Sequence, residues 1–240
     1  MDAITKILSL PAELLSKVPG IGPVITSLRT TIGQKILMAI TGLSLIGFLV
    51  VHLGGNLNLF LGEEAFNGYA ENLHSLGPLL WVAEAGLLVI FLLHLGLAIS
   101  TSAASRKARK RAYELKETKQ EGFVLPNGGS SGWMLATGIA LAVYMLVHIL
   151  DMKFDVRGFG EENKYELVKA VLSDPKTGVF YLLSLVLLGV HLNHGIGSAF
   201  QTLGLSNRKW RKLIAIAGTS LAVLLSAGFI SIVIWASASK

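Results

Sequence analysis

Two stretches decide how this chain folds: Met38-Ala39-Ile40-Thr41-Gly42-Leu43-Ser44-Leu45-Ile46-Gly47-Phe48-Leu49-Val50-Val51-His52 and Met134-Leu135-Ala136-Thr137-Gly138-Ile139-Ala140-Leu141-Ala142-Val143-Tyr144-Met145-Leu146-Val147-His148. Each reads Met-x-x-Thr-Gly, then nine residues, then histidine, and each is apolar enough to cross a membrane as one helix. Working outward, three more runs qualify, so the spans fall at roughly 35–56, 78–103, 133–151, 178–200 and 213–236. The whole chain agrees: 52% of its 240 residues are apolar and only 15% are charged, against about 25% charged in soluble domains. The fold class expected is an all-α membrane protein, with a four-helix bundle formed by the first four spans and a fifth helix beside it.

Charge sets the expected orientation. The arm through Lys35, the 105–132 loop and the 202–212 loop carry four, seven and four of the 21 Lys and Arg residues, whereas the 57–77 loop carries none and the 152–177 loop five. Basic loops stay on the cytoplasmic side of an inner membrane, which places the N-terminus inside and the C-terminus outside. A formal net charge of +6 is therefore a topology signal, and the sequence implies no nucleic-acid partner. The run Arg106, Lys107, Arg109, Lys110 and Arg111 serves that purpose by itself, though it is also a candidate dock for a partner subunit or anionic lipid. Residues 1–34, with Lys6, Pro11, Glu13, Lys17, Pro19, Pro23 and Arg29 but no continuous apolar core, read as an interfacial arm and not a cleaved signal. Residues 35–240 then form one five-helix domain, with short surface helices expected over 63–76 and 161–173.

The first four spans each hold one candidate ligand: His52, His94, His148 and His191. Histidine within a membrane helix is costly and faces a bundle interior, a cavity or a cofactor. With a rise of about 1.5 Å per residue, His52 and His148 lie about 5–6 Å from the outer ends of their spans. His94 and His191 lie about 20–24 Å from theirs. The four sort into an outer pair and an inner pair, with levels separated by roughly 15–18 Å. Two imidazoles at one level on different helices are what bis-histidine haem ligation needs. Zinc or non-haem iron would need three or four ligands at one level, and the absence of cysteine removes thiolate zinc and cysteine-held iron–sulfur clusters from this chain. His194, three residues beyond His191 on nearly the same face, is a candidate in its place or a neighbour bonded to a propionate or the backbone. His74 reads as a surface residue. The small Gly42 and Gly138 would admit a flat macrocycle or a neighbouring helix.

Several longer motifs resemble the di-haem cytochrome b subunit of succinate dehydrogenases and fumarate reductases (respiratory complex II). These are Gly33-Gln34-Lys35-Ile36-Leu37-Met38-Ala39-Ile40-Thr41-Gly42 with His52-Leu53-Gly54-Gly55-Asn56, then Phe66-Asn67-Gly68-Tyr69-Ala70, and His191-Leu192-Asn193-His194-Gly195-Ile196-Gly197-Ser198-Ala199-Phe200-Gln201-Thr202-Leu203-Gly204. The resemblance runs over about residues 30–236. It implies a single five-helix anchor with two b haems, the outer on His52 and His148 and the inner on His94 and His191. It also implies a cytoplasmic flavoprotein with covalent FAD, an iron–sulfur subunit, and (mena)quinone as the membrane substrate. Succinate oxidation would send electrons to quinone, and the reverse direction would support fumarate reduction.

Secondary candidates complete the expected site. Glu84 is the one acid well inside a span, six residues into the second, and is a candidate for a proton or quinone role near the outer haem. Burial would favour its neutral form, and a structural hydrogen bond to a neighbouring helix is the competing reading. Gln34, Lys35 and Trp133 are candidates for haem propionates, although Lys35 equally suits an interfacial anchor and Trp133 an aromatic belt. Two other readings remain open. One is the di-haem b anchor of another respiratory dehydrogenase. The other is a transporter that relays protons through histidines, for which inverted repeats would be expected, whereas the echo here is parallel.

Overall fold

The computed structural model describes residues 30–108, 133–159 and 163–239. The arm before residue 30, the basic residues Arg109, Lys110 and Arg111 with the remainder of that loop to residue 132, and Glu161 lie outside the described residues. Among the described residues there are five long helices: α1 (Thr31–Asn56), α3 (Pro78–Ala108), α4 (Met134–Met152), α6 (Pro175–Thr202) and α7 (Arg211–Ala238). All five are long and apolar enough to cross a membrane. Two short helices, α2 (Glu63–His74) and α5 (Lys164–Ser173), fall in the loops where surface helices are expected, and a 3-10 turn at Leu57–Leu61 prolongs α1.

The helix ends extend beyond the apolar runs because polar caps carry them further. Thr30 accepts from the Gly33 amide at 3.0 Å and so starts α1 ahead of its apolar run. Asp174 ends α5 and begins α6: its carboxylate accepts from the amide and the hydroxyl of Thr177 (2.9 and 2.7 Å), and Pro175 occupies the first turn, where the missing N–H costs nothing. Those two bonds, the hydroxyl's first, hold the Asp174 carboxyl below its ordinary range.

Helices α1, α3, α4 and α6 pack in a closed ring, each against the next, and α7 lies on α6 and α1. Neither diagonal of the ring, α1 with α4 or α3 with α6, is a packed helix pair. The most extensive seam is α6 with α7. There Ser226 donates to Leu185 O at 2.9 Å and Thr219 to Asn193 Oδ1 at 2.6 Å. A Cβ on Gly189 would stand 2.7 Å from Ser226 Oγ, so the absent side chain is what lets the backbones close, as small residues do in membrane helix pairs. By contrast α3 buries Thr101 alone and turns Trp81, Leu88, Val89 and Leu92 outward. Apolar exposure of that kind is neutral where the solvent is hydrocarbon.

The buried core gathers toward the end of the bundle that carries α2 and α5. Leu53, Leu59, Phe66, Val171, Tyr181, Leu225 and Val233 belong to it. Tyr165 ties the two surface helices to α7: its amide donates to Asn67 Oδ1 at 3.1 Å, and its ring meets Phe66 and Trp235.

Candidate functional site

The ring of four helices carries its histidines at two heights. At the first, His52 of α1 and His148 of α4 reach across a diagonal, with ring centroids 5.9 Å apart and planes at 87°. Apolar and aromatic neighbours surround them. Phe48 stacks on His52 at 5.1 Å and Phe229 of α7 lies 5.7 Å from it, while Tyr144 and Tyr181 lie 5.7 and 5.9 Å from His148. Asn56 Nδ2, one turn on along α1, donates to His52 O at 2.8 Å and lies 3.5 Å from both ring nitrogens of His52. Among the described residues, His148 Nδ1 is the buried side-chain polar atom without a hydrogen-bond partner.

At the second height, His94 of α3 and His191 of α6 stand on the other diagonal of the ring. Each is met by a threonine of the adjacent helix. His94 Nδ1 is 3.2 Å from Thr41 Oγ1 and 3.2 Å from Met38 O, and His191 Nδ1 is 3.1 Å from Thr137 Oγ1. A Cβ on Gly42 would stand 3.0 Å from His94 Cε1, and one on Gly138 would stand 3.4 Å from His191 Cε1. The Thr-Gly steps of the repeat thus receive the imidazole edges of the neighbouring helices. Thr41 and Thr137 each precede their own helix's histidine by eleven residues, so the two heights differ by about 16 Å.

These residues fit a metal held between paired imidazoles. A ligating imidazole nitrogen lies about 2 Å from its metal, so two rings on opposite sides of one ion have centroids roughly 6 Å apart. The 5.9 Å of His52 and His148 meets that figure, and an orphaned buried nitrogen on His148 is a donor in want of an acceptor or an acceptor in want of a donor. Among the described residues no three His, Cys, Asp or Glu side chains converge as a metal-binding group, so the fit is to two protein ligands per centre.

The other expected residues are placed as follows. His194 is buried at 8% exposure on α6, and His74 folds back on its own helix with Nδ1 2.8 Å from Ala70 O. Gln34 is half-buried and Lys35 exposed in the first turn and a half of α1, and Trp133 is exposed at the start of α4. Glu84 has its side chain 44% exposed and ion-paired with Lys153, which follows the end of α4. The carboxylate and its cation lie on an exposed face, tying α3 to the end of α4.

The acid that is buried is one the spans seemed merely to end on. Asp151, at 1% exposure, accepts from Arg157 Nε at 2.8 Å and from Tyr181 Oη at 3.2 Å. Arg157 Nη1 continues to Thr177 Oγ1 at 2.6 Å. This chain of polar groups closes the α5 end of the ring directly behind His148. The available signal was the Asp151 and Arg157 pair flanking a short loop; the Tyr181 partner, thirty residues on, is visible only in three dimensions.

Residues 126–229 match the family model described as the succinate dehydrogenase/fumarate reductase transmembrane subunit. The matched stretch takes in α4, α5, α6 and most of α7, and with them Thr137, His148, Asp151 and His191. No curated protein and no solved structure matches the chain.

Proposed function

We propose that the chain is the membrane anchor and electron-transfer subunit of a succinate:quinone oxidoreductase, a multi-pass protein of the inner membrane that works with a flavoprotein and an iron–sulfur subunit on its cytoplasmic face. The observation that carries this reading is the meeting of His52 and His148 across an unpacked diagonal at 5.9 Å, in a chain whose second half matches that subunit family. His52 and His148 would hold an outer b haem, and His94 and His191 an inner one. Two such haems supply one-electron transfer between the iron–sulfur partner and (mena)quinone.

The chain's own residues bind, orient and insulate. Phe48, Tyr144, Tyr181 and Phe229 keep water from the His52–His148 level, and a low local dielectric strengthens every charge interaction there. Gln34, Lys35 and Trp133 stand at the opposite end, where propionates of an inner haem would need donors. Glu84 lies ten residues before His94, about 15 Å along α3, and so stands near the His52–His148 level. Paired with Lys153 on an exposed face, it is placed to exchange a proton with a quinone at the membrane boundary.

The test is purification of the chain with its native partners in mild detergent. Two b haems per chain by pyridine haemochrome, copurifying flavin, and haem reduction on adding succinate are the expected results. An assembled sample without haem would overturn the proposal; haem that no succinate reduces would move the chain to the anchor of another dehydrogenase.

A further inference from the structure

We infer that Thr41 and Thr137 are positioning residues that hold His94 and His191 with their Nδ1 atoms protonated, leaving the Nε2 lone pairs for a metal, whereas no threonine of a neighbouring helix meets His52 or His148 among the described residues. The inference rests on the haem-ligand reading above and adds to it a specific donor and acceptor for each inner ring.

Each threonine hydroxyl has one hydrogen, and the helix has already claimed it. Thr41 Oγ1 donates to Leu37 O at 2.9 Å, with Met38 O at 3.0 Å, and Thr137 Oγ1 donates to Trp133 O at 3.0 Å, with Met134 O at 3.2 Å. Such back-bonding to the preceding turn is the ordinary state of threonine in a helix. With the hydrogen committed, each oxygen can only accept. The histidine nitrogens that face them, 3.2 and 3.1 Å away, must therefore donate. For His94 the same conclusion follows twice, because Met38 O at 3.2 Å is an acceptor with no proton to give. A neutral imidazole with its proton on Nδ1 has its lone pair on Nε2. The tautomer competent to bind a metal through Nε2 is thus chosen before any metal arrives.

Gly42 and Gly138, each following its threonine, leave room for that approach. The His94 edge would stand 3.0 Å from a Cβ on Gly42, closer than a methyl tolerates without displacement. The spacing Thr-Gly, nine residues, His then has a second use. The histidine of α1 and of α4 serves one level, while the Thr-Gly step of the same helix seats the histidine of its neighbour at the other.

A hydrogen bond donated by the far ring nitrogen raises a ligand's basicity and favours the oxidised metal. Replacing the acceptor raises the reduction potential of the centre it serves. The experiment is a potentiometric titration of the assembled complex carrying Thr41→Val or Thr137→Val, with Thr41→Ser and Thr137→Ser as hydroxyl-bearing counterparts. Thr137→Val should shift one of the two haem midpoints upward, leave the other in place, and alter the low-spin EPR signal of that haem alone; Thr41→Val should move the same midpoint by less, because Met38 O still accepts from His94 Nδ1. The serine variants should titrate like the unmutated protein. Should a valine variant fail to assemble, alanine at that position reads the same loss without refilling the space. Two haems with unmoved midpoints, shifts in both, or serine variants that behave like valine would overturn the inference and leave the haem reading standing. Absence of haem from the unmutated complex would overturn both.

Discussion

Two pairs of imidazoles sit about 16 Å apart along the same four helices, and they are held in opposite ways. His94 and His191 are bonded to threonine oxygens of the next helix. His52 and His148 are wedged among Phe48, Tyr144, Tyr181 and Phe229, and His148 Nδ1 meets no partner among the described residues. One level is held by hydrogen bonds to the neighbouring helix and the other mainly by packing, with Asn56 of the same helix 3.5 Å from the His52 ring. A hydrogen bond fixes which nitrogen carries the proton, whereas packing fixes only where the ring lies. A chain built on one repeat can therefore present two unlike centres.

The largest expected effect separates the levels outright. His148→Leu should lower the haem content of the assembled complex from two per chain to one by pyridine haemochrome, and His94→Leu should do the same while removing the other spectroscopic signal. Loss of both haems in either variant would mean that the levels are not independent.

The polar chain behind His148 offers the next test. Asp151→Asn deprives Arg157 Nε of its carboxylate and leaves a buried group poorly matched, for about 1–3 kcal/mol of stability. Tyr181→Phe removes a single hydrogen bond at the same carboxylate and should cost about 1 kcal/mol. Thermal unfolding of the detergent-solubilised complex measures both. An Asp151→Asn protein as stable as its parent would show that this end of the ring is held by α2, α5 and α7 instead.

Smaller effects sharpen the contrast within the repeat. Gly42→Ala places a methyl 3.0 Å from His94 Cε1, whereas Gly138→Ala places one 3.4 Å from His191 Cε1, an ordinary contact. The first should broaden or shift the EPR signal of the haem proposed at His94 and His191, and the second should leave it nearly unchanged. Glu84→Gln should change stability by no more than about 1 kcal/mol, since its ion pair with Lys153 is exposed. It should lower quinone-linked turnover with haem content intact. Unaltered turnover would return Glu84 to the role of a surface tie between α3 and α4.

Much of this was legible in the sequence, and the limits have physical causes. Apolar runs mark spans because the bilayer demands about 20 residues of helix, and all five helices fall on them. Their ends were underestimated, since caps such as Thr30 and Asp174 extend helices into polar sequence. The repeat announced two histidines at one height, and the structure places their rings together. It did not announce that Thr41 and Thr137 meet the other two, because helical spacing within one span says nothing about which neighbour turns toward it. That Asp151 is buried and the Glu84 side chain half exposed was hidden for a related reason. Depth along a helix can be counted from sequence, but the face it presents depends on partners such as Tyr181 and Lys153, which are 30 and 69 residues away.

The most direct test is a redox titration of the haem absorbance in the complex, alongside the same titration of His148→Leu. Two one-electron steps in the parent and one in the variant, with the remaining midpoint close to one of the original two, is the result this account predicts. A parent that shows a single step with one haem per chain, or a variant that retains both, would contradict it.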